Sequence, residues 1–293
     1  MSIAPDVLVF PAFVHDADTL DERQPWLDRY DFDHALDVSG VPEPLQYTDA
    51  EGGLVLLPTG MGKSKTASTV TAALTTPALD LSDTLFLSVG VAGGPPTRTT
   101  LGSVVVAAAV VDWDVKVRWD EREGDGGDDV PLALNPYREN DLVYRPDDEL
   151  LDWATGVAQS VELADDPALD SHRTQFGQSA ARSDPGTVVG TNVCGDEFWH
   201  GRVLAEQVEW LCEQYGASPY CATEMEDAAT ATVLDRFGRL DDYLSVRGVA
   251  NFDRPAPGES VAESLDGDLE AGFDLGLTNA VAVASALVDR RRD

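Results

Sequence analysis

The chain of 293 residues carries 53 Asp and Glu against 20 Lys and Arg, a formal net charge of −33. That balance excludes duplex and single-strand nucleic acid as partners, because such binders use basic surface to displace counterions from phosphates. With 43% hydrophobic residues the composition is still that of a globular protein able to bury a sizeable core.

At the N-terminus, Met1 to Leu20 lacks a basic region and carries Asp6, Asp16 and Asp18. No run in the chain approaches the roughly 18 apolar residues of a membrane span, so a soluble, cytoplasmic protein is expected. Val7 to Phe10 and Leu54 to Leu57 are short apolar runs bounded by breakers and read as buried strands. After the turn Pro58-Thr59-Gly60-Met61-Gly62, the segment Lys63 to Leu74 places Ala67, Val70, Ala73 and Leu74 at helical spacing. Leu85 to Val89 is the next predicted strand, ending in a glycine turn from Gly90 to Gly94. Gly102 to Val111 and Asp114 to Trp119 are rich in β-branched residues and predict longer strands. Glu121 to Asp129 is Gly/Asp-rich and reads as an exposed loop.

Asp147 to Leu163 predicts a helix, and Asp165 to Pro185 a polar, irregular stretch. Thr187 to Val193 reads as a strand, Arg202 to Tyr215 and Met225 to Phe237 as helices, Tyr243 to Ala250 as a strand and Leu269 to Val288 as a closing helix. Strands alternating with helices predict one α/β domain over residues 1–293, with helices on both faces of a sheet. Ligands of such sheets bind beyond the carboxyl ends of strands, which directs attention to the segments after residues 57, 89, 193, 222 and 249.

The acidic residues are spread along the chain and the only lysines are Lys63, Lys65 and Lys116, a pattern expected of a halophilic protein. At about 1 M salt the Debye length falls to roughly 3 Å, which screens the self-repulsion of such a surface. Cys194, Cys212 and Cys221 are odd in number and unrelated in spacing, so neither a disulfide framework nor a metal site is expected.

Five segments combine reactive or glycine-rich residues with a predicted strand end. Thr59 to Lys63 is a glycine turn without the Walker A spacing, and Gly90 to Gly94 offers backbone amides; in both, glycines could simply permit a tight turn. Thr223-Glu224-Met225-Glu226-Asp227 gathers three carboxylates where a helix begins, a pattern that suits either capping of that helix or a grip on the vicinal hydroxyls of a sugar. Gly195 to Gly201 contains Phe198 and Trp199, which either stack on a flat ligand or pack in the core, and His200, a possible acid or base. Asn251-Phe252-Asp253-Arg254-Pro255 follows the last strand. No GxSxG elbow or HExxH helix is present, which removes the hydrolase-triad and zincin readings.

The order of these segments, GMGK, GVAGG, GDEFW, TEMED and a strand entering NFDRP, resembles the nucleoside phosphorylase superfamily. Within it, Cys221 to Thr230 paired with Val249 to Gly258 most resembles the purine nucleoside permease family. The resemblance implies a three-layer α/β/α fold with a central mixed, partly barrel-like sheet, and assembly into a homo-oligomer. It implies a purine nucleoside as the small-molecule ligand and either cleavage of its N-glycosidic bond or, as the permease name asserts, a part in nucleoside uptake. A chain without a membrane span cannot itself be the channel.

Matched residue by residue, the resemblance implies Met225 and Glu226 at the ribose, where a carboxylate stabilises oxocarbenium character. It implies Phe198 on the purine with Trp199 beside it, Gly93 and Gly94 close to the base and ribosyl group, and Glu224 in the same pocket. No cofactor is implied beyond inorganic phosphate as an optional co-substrate. Two departures stand out. Asn251 occupies the position where an Asp would protonate the leaving base, a loss worth about 10²–10⁴ in rate for a general acid, although its amide can still hydrogen-bond a 6-oxopurine and Asp253 lies two residues on. The arginines that bind phosphate are also missing: Ser88 replaces one, leaving Lys63, Lys65, Arg98 or Arg247 for that task. That favours hydrolysis or binding without turnover, with His15, Asp16 and Glu224 as candidates to position water.

Overall fold

A computed structural model describes residues 2–12, 21–49, 53–119, 131–138, 142–266 and 272–292. The strands are β1 (Val7–Phe10), β2 (His34–Leu36), β3 (Leu45–Tyr47), β4 (Leu54–Leu56), β5 (Leu85–Gly94), β6 (Val104–Asp112), β7 (Lys116–Arg118), β8 (Leu132–Leu134), β9 (Val143–Tyr144), β10 (Thr187–Cys194), β11 (Tyr220–Glu224) and β12 (Tyr243–Phe252). The helices are α1 (Gln24–Arg29), α2 (Lys63–Thr75), α3 (Asp148–Gln159), α4 (Asp170–Arg173), α5 (Arg202–Gln214), α6 (Asp227–Arg236), α7 (Val261–Asp266) and α8 (Phe273–Arg292).

Continuous apolar runs become strands here because both of their faces are covered. Val7 and Val9 point into a core shared with α8, α3 and α1, whereas Leu8 and Phe10 point into a second core shared with α2 and α6. The same alternation separates Leu85 and Leu87 from Phe86, and Leu54 and Leu56 from Val55 and Leu57. Helices therefore lie on both sides of one mixed sheet, in the order β11-β10-β6-β12-β5-β1-β4-β3-β2.

Five of these strands close on themselves. β11 returns to β5 through the single pair Thr223↔Gly93, so β5, β12, β6, β10 and β11 form a barrel-like ring while β1 to β4 continue as an open sheet. The α/β architecture and partly closed sheet agree with the expectation. Register shifts in β10 after Gly190 and in β12 between Val249 and Asn251 bend the strands as they approach the cleft.

Several boundaries differ from expectation for physical reasons. Gly90 to Gly94 is not a turn: β5 runs straight through it, and glycines are needed because other groups press on the strand. A Cβ at Gly90 would collide with Glu22 Oε1, and one at Gly93 would sit 3.2 Å from Thr223 Cγ2 and 3.3 Å from Asn251 Nδ2. Asp114 to Trp119 yields only the three-residue β7, paired with β8 in a small hairpin apart from the main sheet. Asp165 to Pro185 contains short 3₁₀ turns and α4. The predicted loop Glu121 to Asp129, together with His15 and Asp16, lies outside the described residues.

Candidate functional site

β12 is mostly apolar and carries one charged residue at its centre, Arg247, with only 1% of its surface exposed. A guanidinium buried so deeply requires partners. Three of them come from the β11–α6 junction: Arg247 Nη2 lies 3.1 Å from Glu224 Oε2 and pairs with Asp227 Oδ1, and Nη1 lies 3.8 Å from Glu226 Oε2. Nη2 also donates to Ser88 Oγ at 2.8 Å, which explains the serine in β5. Asp227 is held further by Asn192 Nδ2 at 2.6 Å and by Ser245 Oγ.

A fourth buried carboxylate arrives from the segment after β1. Glu22 accepts from the Ala12 amide at 2.6 Å and the Val91 amide at 3.0 Å, and it reaches the face of Gly90 that Arg247 Nη1 also approaches. β1 pairs with β5 only as far as Phe10↔Ser88, so Glu22 satisfies an amide of β5 beyond its partner strand.

The electrostatics follow from four carboxylates crowding one cation. Burial would raise Asp227, but the Arg247 charge and hydrogen bonds from Arg247, Ser245 and Ser88 hold it below its ordinary value. Glu224 is pushed up to about 8, by burial first and then by Asp227, against the pull of Arg247. Glu226 is pushed up to about 7 by burial, with Arg247 and the Gly62 amide opposing and Glu22 adding to the rise. The cluster therefore retains protons near neutrality. Glu224 Oε1 is buried without a hydrogen-bond partner among the described residues. Its Oε2 accepts from the amides of Glu226 and Asp227 at 2.7 and 2.9 Å, so helix capping and charge clustering operate together.

Beside this cluster opens a small cleft of about 40 Å³. It is lined by Gly93, Phe198, Trp199, Glu224, Met225, Asn251 and Asp253, which are ends of separate strands brought together by the ring closure. The first glycine turn reaches the same neighbourhood: Gly62, at φ +90°, donates its amide to Glu226 Oε1 at 2.9 Å. Phe198 is 61% exposed and stands open at the cleft, while Trp199 is buried between the Trp113 and Tyr220 rings. Asn251 leans on Gly93 and donates Nδ2 to the Phe252 carbonyl at 2.9 Å. Asp253 is buried and paired with Arg254 at 2.7 Å; burial raises its value and Arg254 opposes the rise. Gly94 packs against Thr99 and Val249, with its carbonyl accepting the Asp253 amide.

The cations considered for phosphate are placed differently. Lys63 Nζ is held by Asp112 at 2.8 Å and Asp114 at 2.6 Å, and its amide donates to Asp196 at 2.7 Å, so it latches α2 to the end of β6. Lys65 and Arg98 are exposed. His200 lies in a neighbouring chamber and not among the residues that line this cleft. Glu22 was not anticipated from the sequence. Arg247 was, but as an anion ligand, although a lone arginine within an apolar strand already signals a buried ion-pair hub.

Comparison with known proteins follows the same lines. The purine nucleoside permease of Candida albicans is 27% identical over 290 residues, spanning 91% of this chain and 71% of that protein. Futalosine hydrolase of Helicobacter pylori superimposes with a TM-score of 0.63 at 20% identity, covering 98% of each chain. The 5'-methylthioadenosine/S-adenosyl homocysteine nucleosidase of the same organism gives 0.64 at 18% identity, covering 99% of this chain and 100% of that one. These two show a shared fold. Because the model of the purine nucleoside permease (NUP) family matches residues 4–290, nearly the whole chain, the protein belongs to that family.

Proposed function

We propose that the protein binds purine nucleosides in the cleft beside Arg247 and hydrolyses their N-glycosidic bond. The observation that carries this reading is the convergence of Gly93, Phe198, Met225 and Asn251 on one cleft that adjoins four buried carboxylates. Phe198 offers an open ring for the base, Asn251 an amide for its leaving edge, and Met225 and Glu226 the ribose side. An ionised Glu226 stabilises the positive charge that develops on the sugar as the bond breaks. Water adds at the anomeric carbon as the glycosidic bond breaks, its proton passing to the neighbouring carboxylates, and the purine departs as an anion hydrogen-bonded by Asn251 that takes its proton from solvent. Among the described residues, Arg247 and Lys63 are already matched by carboxylates, which favours water over phosphate as nucleophile.

Asn251 favours a second reading, in which the nucleoside is bound for uptake without cleavage, since an amide cannot supply the leaving base with a full proton. No helix among the described residues is long and apolar enough to cross a membrane, so a role in uptake would be that of a binding component. On the same footing we place the protein in the cytoplasm, in molar salt, as a homo-oligomer; the charge of −33 supports the salt, and the oligomer follows from the family resemblance.

Incubation in concentrated KCl with inosine, guanosine, adenosine or uridine, with and without phosphate, tests the reading through release of free base. Equal release of purine without phosphate is expected. Release only with phosphate refutes hydrolysis, and binding without any release leaves the uptake reading standing.

A further inference from the structure

Asn251 stands between two cavities. On its other side lies a chamber of about 70 Å³, larger than the cleft itself, bordered by Phe176 and Phe252, His200, Gln175, Glu259 and Ser264. The two phenylalanine rings meet at 4.3 Å and form an apolar wall, and the opposite side is polar. His200 is 92% buried by its 8% exposure, yet its Nδ1 has no hydrogen-bond partner among the described residues. Its Nε2 shares a 3.0 Å hydrogen bond with Ser264 Oγ. Burial holds the imidazole below its ordinary value, with Glu259 opposing, so near neutral pH one ring nitrogen donates and the other accepts. Whichever tautomer is present, Nδ1 lacks a counterpart among the described residues, and a buried polar atom left so is destabilising.

The charges bordering the chamber are already committed. Arg254 is engaged by Asp253 at 2.7 Å and Glu209 at 3.1 Å, and Glu259 accepts the Ala256 amide at 2.9 Å. Such a lining suits a group that hydrogen-bonds without carrying charge. If Asn251 meets the imidazole nitrogen N7 of a purine, as the proposed function holds, a substituent at position 6 lies on the same Hoogsteen edge as N7. It would extend past Asn251 towards His200.

We infer that the chamber beyond Asn251 is a subsite for an uncharged, hydrogen-bonding substituent on the 6-position of a purine nucleoside, with His200 and Gln175 as its polar contacts. This rests on the proposed nucleoside reading of the cleft. Gln175 is exposed and can be changed with little effect on packing, whereas His200 is buried.

Titration calorimetry of the full chain in concentrated KCl, with adenosine and N6-(2-hydroxyethyl)adenosine as probes, tests it. The substituted nucleoside should bind at least about tenfold more tightly. In His200→Leu the ratio of the two affinities should collapse to near one, and in Gln175→Ala it should fall severalfold. Equal binding by the unaltered protein, or a ratio untouched by both changes, overturns the inference while leaving the cleft reading intact. If His200→Leu fails to fold, an unchanged ratio in Gln175→Ala alone overturns it. Failure of both nucleosides to bind overturns the cleft reading and the subsite with it.

Discussion

Arg247 is the residue on which the cleft's electrostatics turn. Replacing one partner of a buried ion network strands the others, which costs about 3–5 kcal/mol. Arg247→Met should therefore lower the unfolding free energy by about that amount in a denaturant titration, far more than Arg98→Met at an exposed position. The crowded carboxylates also give stability a direction with pH. Glu226 and Glu224 keep their protons in the folded chain up to about pH 7 and 8, but lose them at ordinary carboxylate values once unfolded. Between about pH 5 and 8 the unfolded chain thus binds fewer protons, and this pair makes stability fall as pH rises, by up to about 1.4 kcal/mol per pH unit for each proton. Asp227, held below its ordinary value, acts in the opposite sense and only at acid pH. Glu224→Gln, which cannot ionise, should show a flatter loss than the native chain when urea unfolding is compared at about pH 5.5 and about pH 8; an unchanged slope would mean that Glu224 is ionised throughout.

Among the elements, β5 joins the open sheet to the closed ring, and its glycines set how closely the neighbours approach. Gly93→Val would drive a branched side chain into Thr223 and Asn251. Overpacking of this kind costs about 1–3 kcal/mol; nucleoside affinity should fall by more than tenfold even where circular dichroism shows the fold retained, because the displaced groups line the cleft. The strands most legible in the sequence were those covered on both faces, such as Val7 to Phe10, which is wholly apolar, and Tyr243 to Ala250, which is apolar or β-branched at most positions. β2, β3 and β9 were not legible, because they are only two or three residues long, too short for a pattern to show. Gly90 to Gly94 was misread because a glycine needed for close approach is indistinguishable from one needed for a turn until its neighbours are known. The cleft was legible in the order of its motifs. Glu22 was not, since nothing in type or spacing separates it from the other 52 acidic residues of the chain.

Taken whole, the molecule places most of its charge of −33 outside two apolar cores, with the central cluster as the buried exception. Surface repulsion should respond steeply to ionic strength and the buried cluster hardly at all. The thermal midpoint should accordingly climb as KCl is raised from about 0.1 M to beyond about 1 M, where the Debye length falls from roughly 10 Å to 3 Å; a flat profile would refute adaptation to salt. The ring closure carries a further consequence. Since β11 meets β5 through one residue pair, Thr223↔Gly93, the barrel has a seam, and the cleft lies along it. Proteins open locally where few bonds hold an element in place. Deuterium should enter the amides around Thr223 sooner than those of β12, which is paired on both sides, and a ligand spanning Gly93, Met225 and Asn251 should slow that entry by stitching the seam from within.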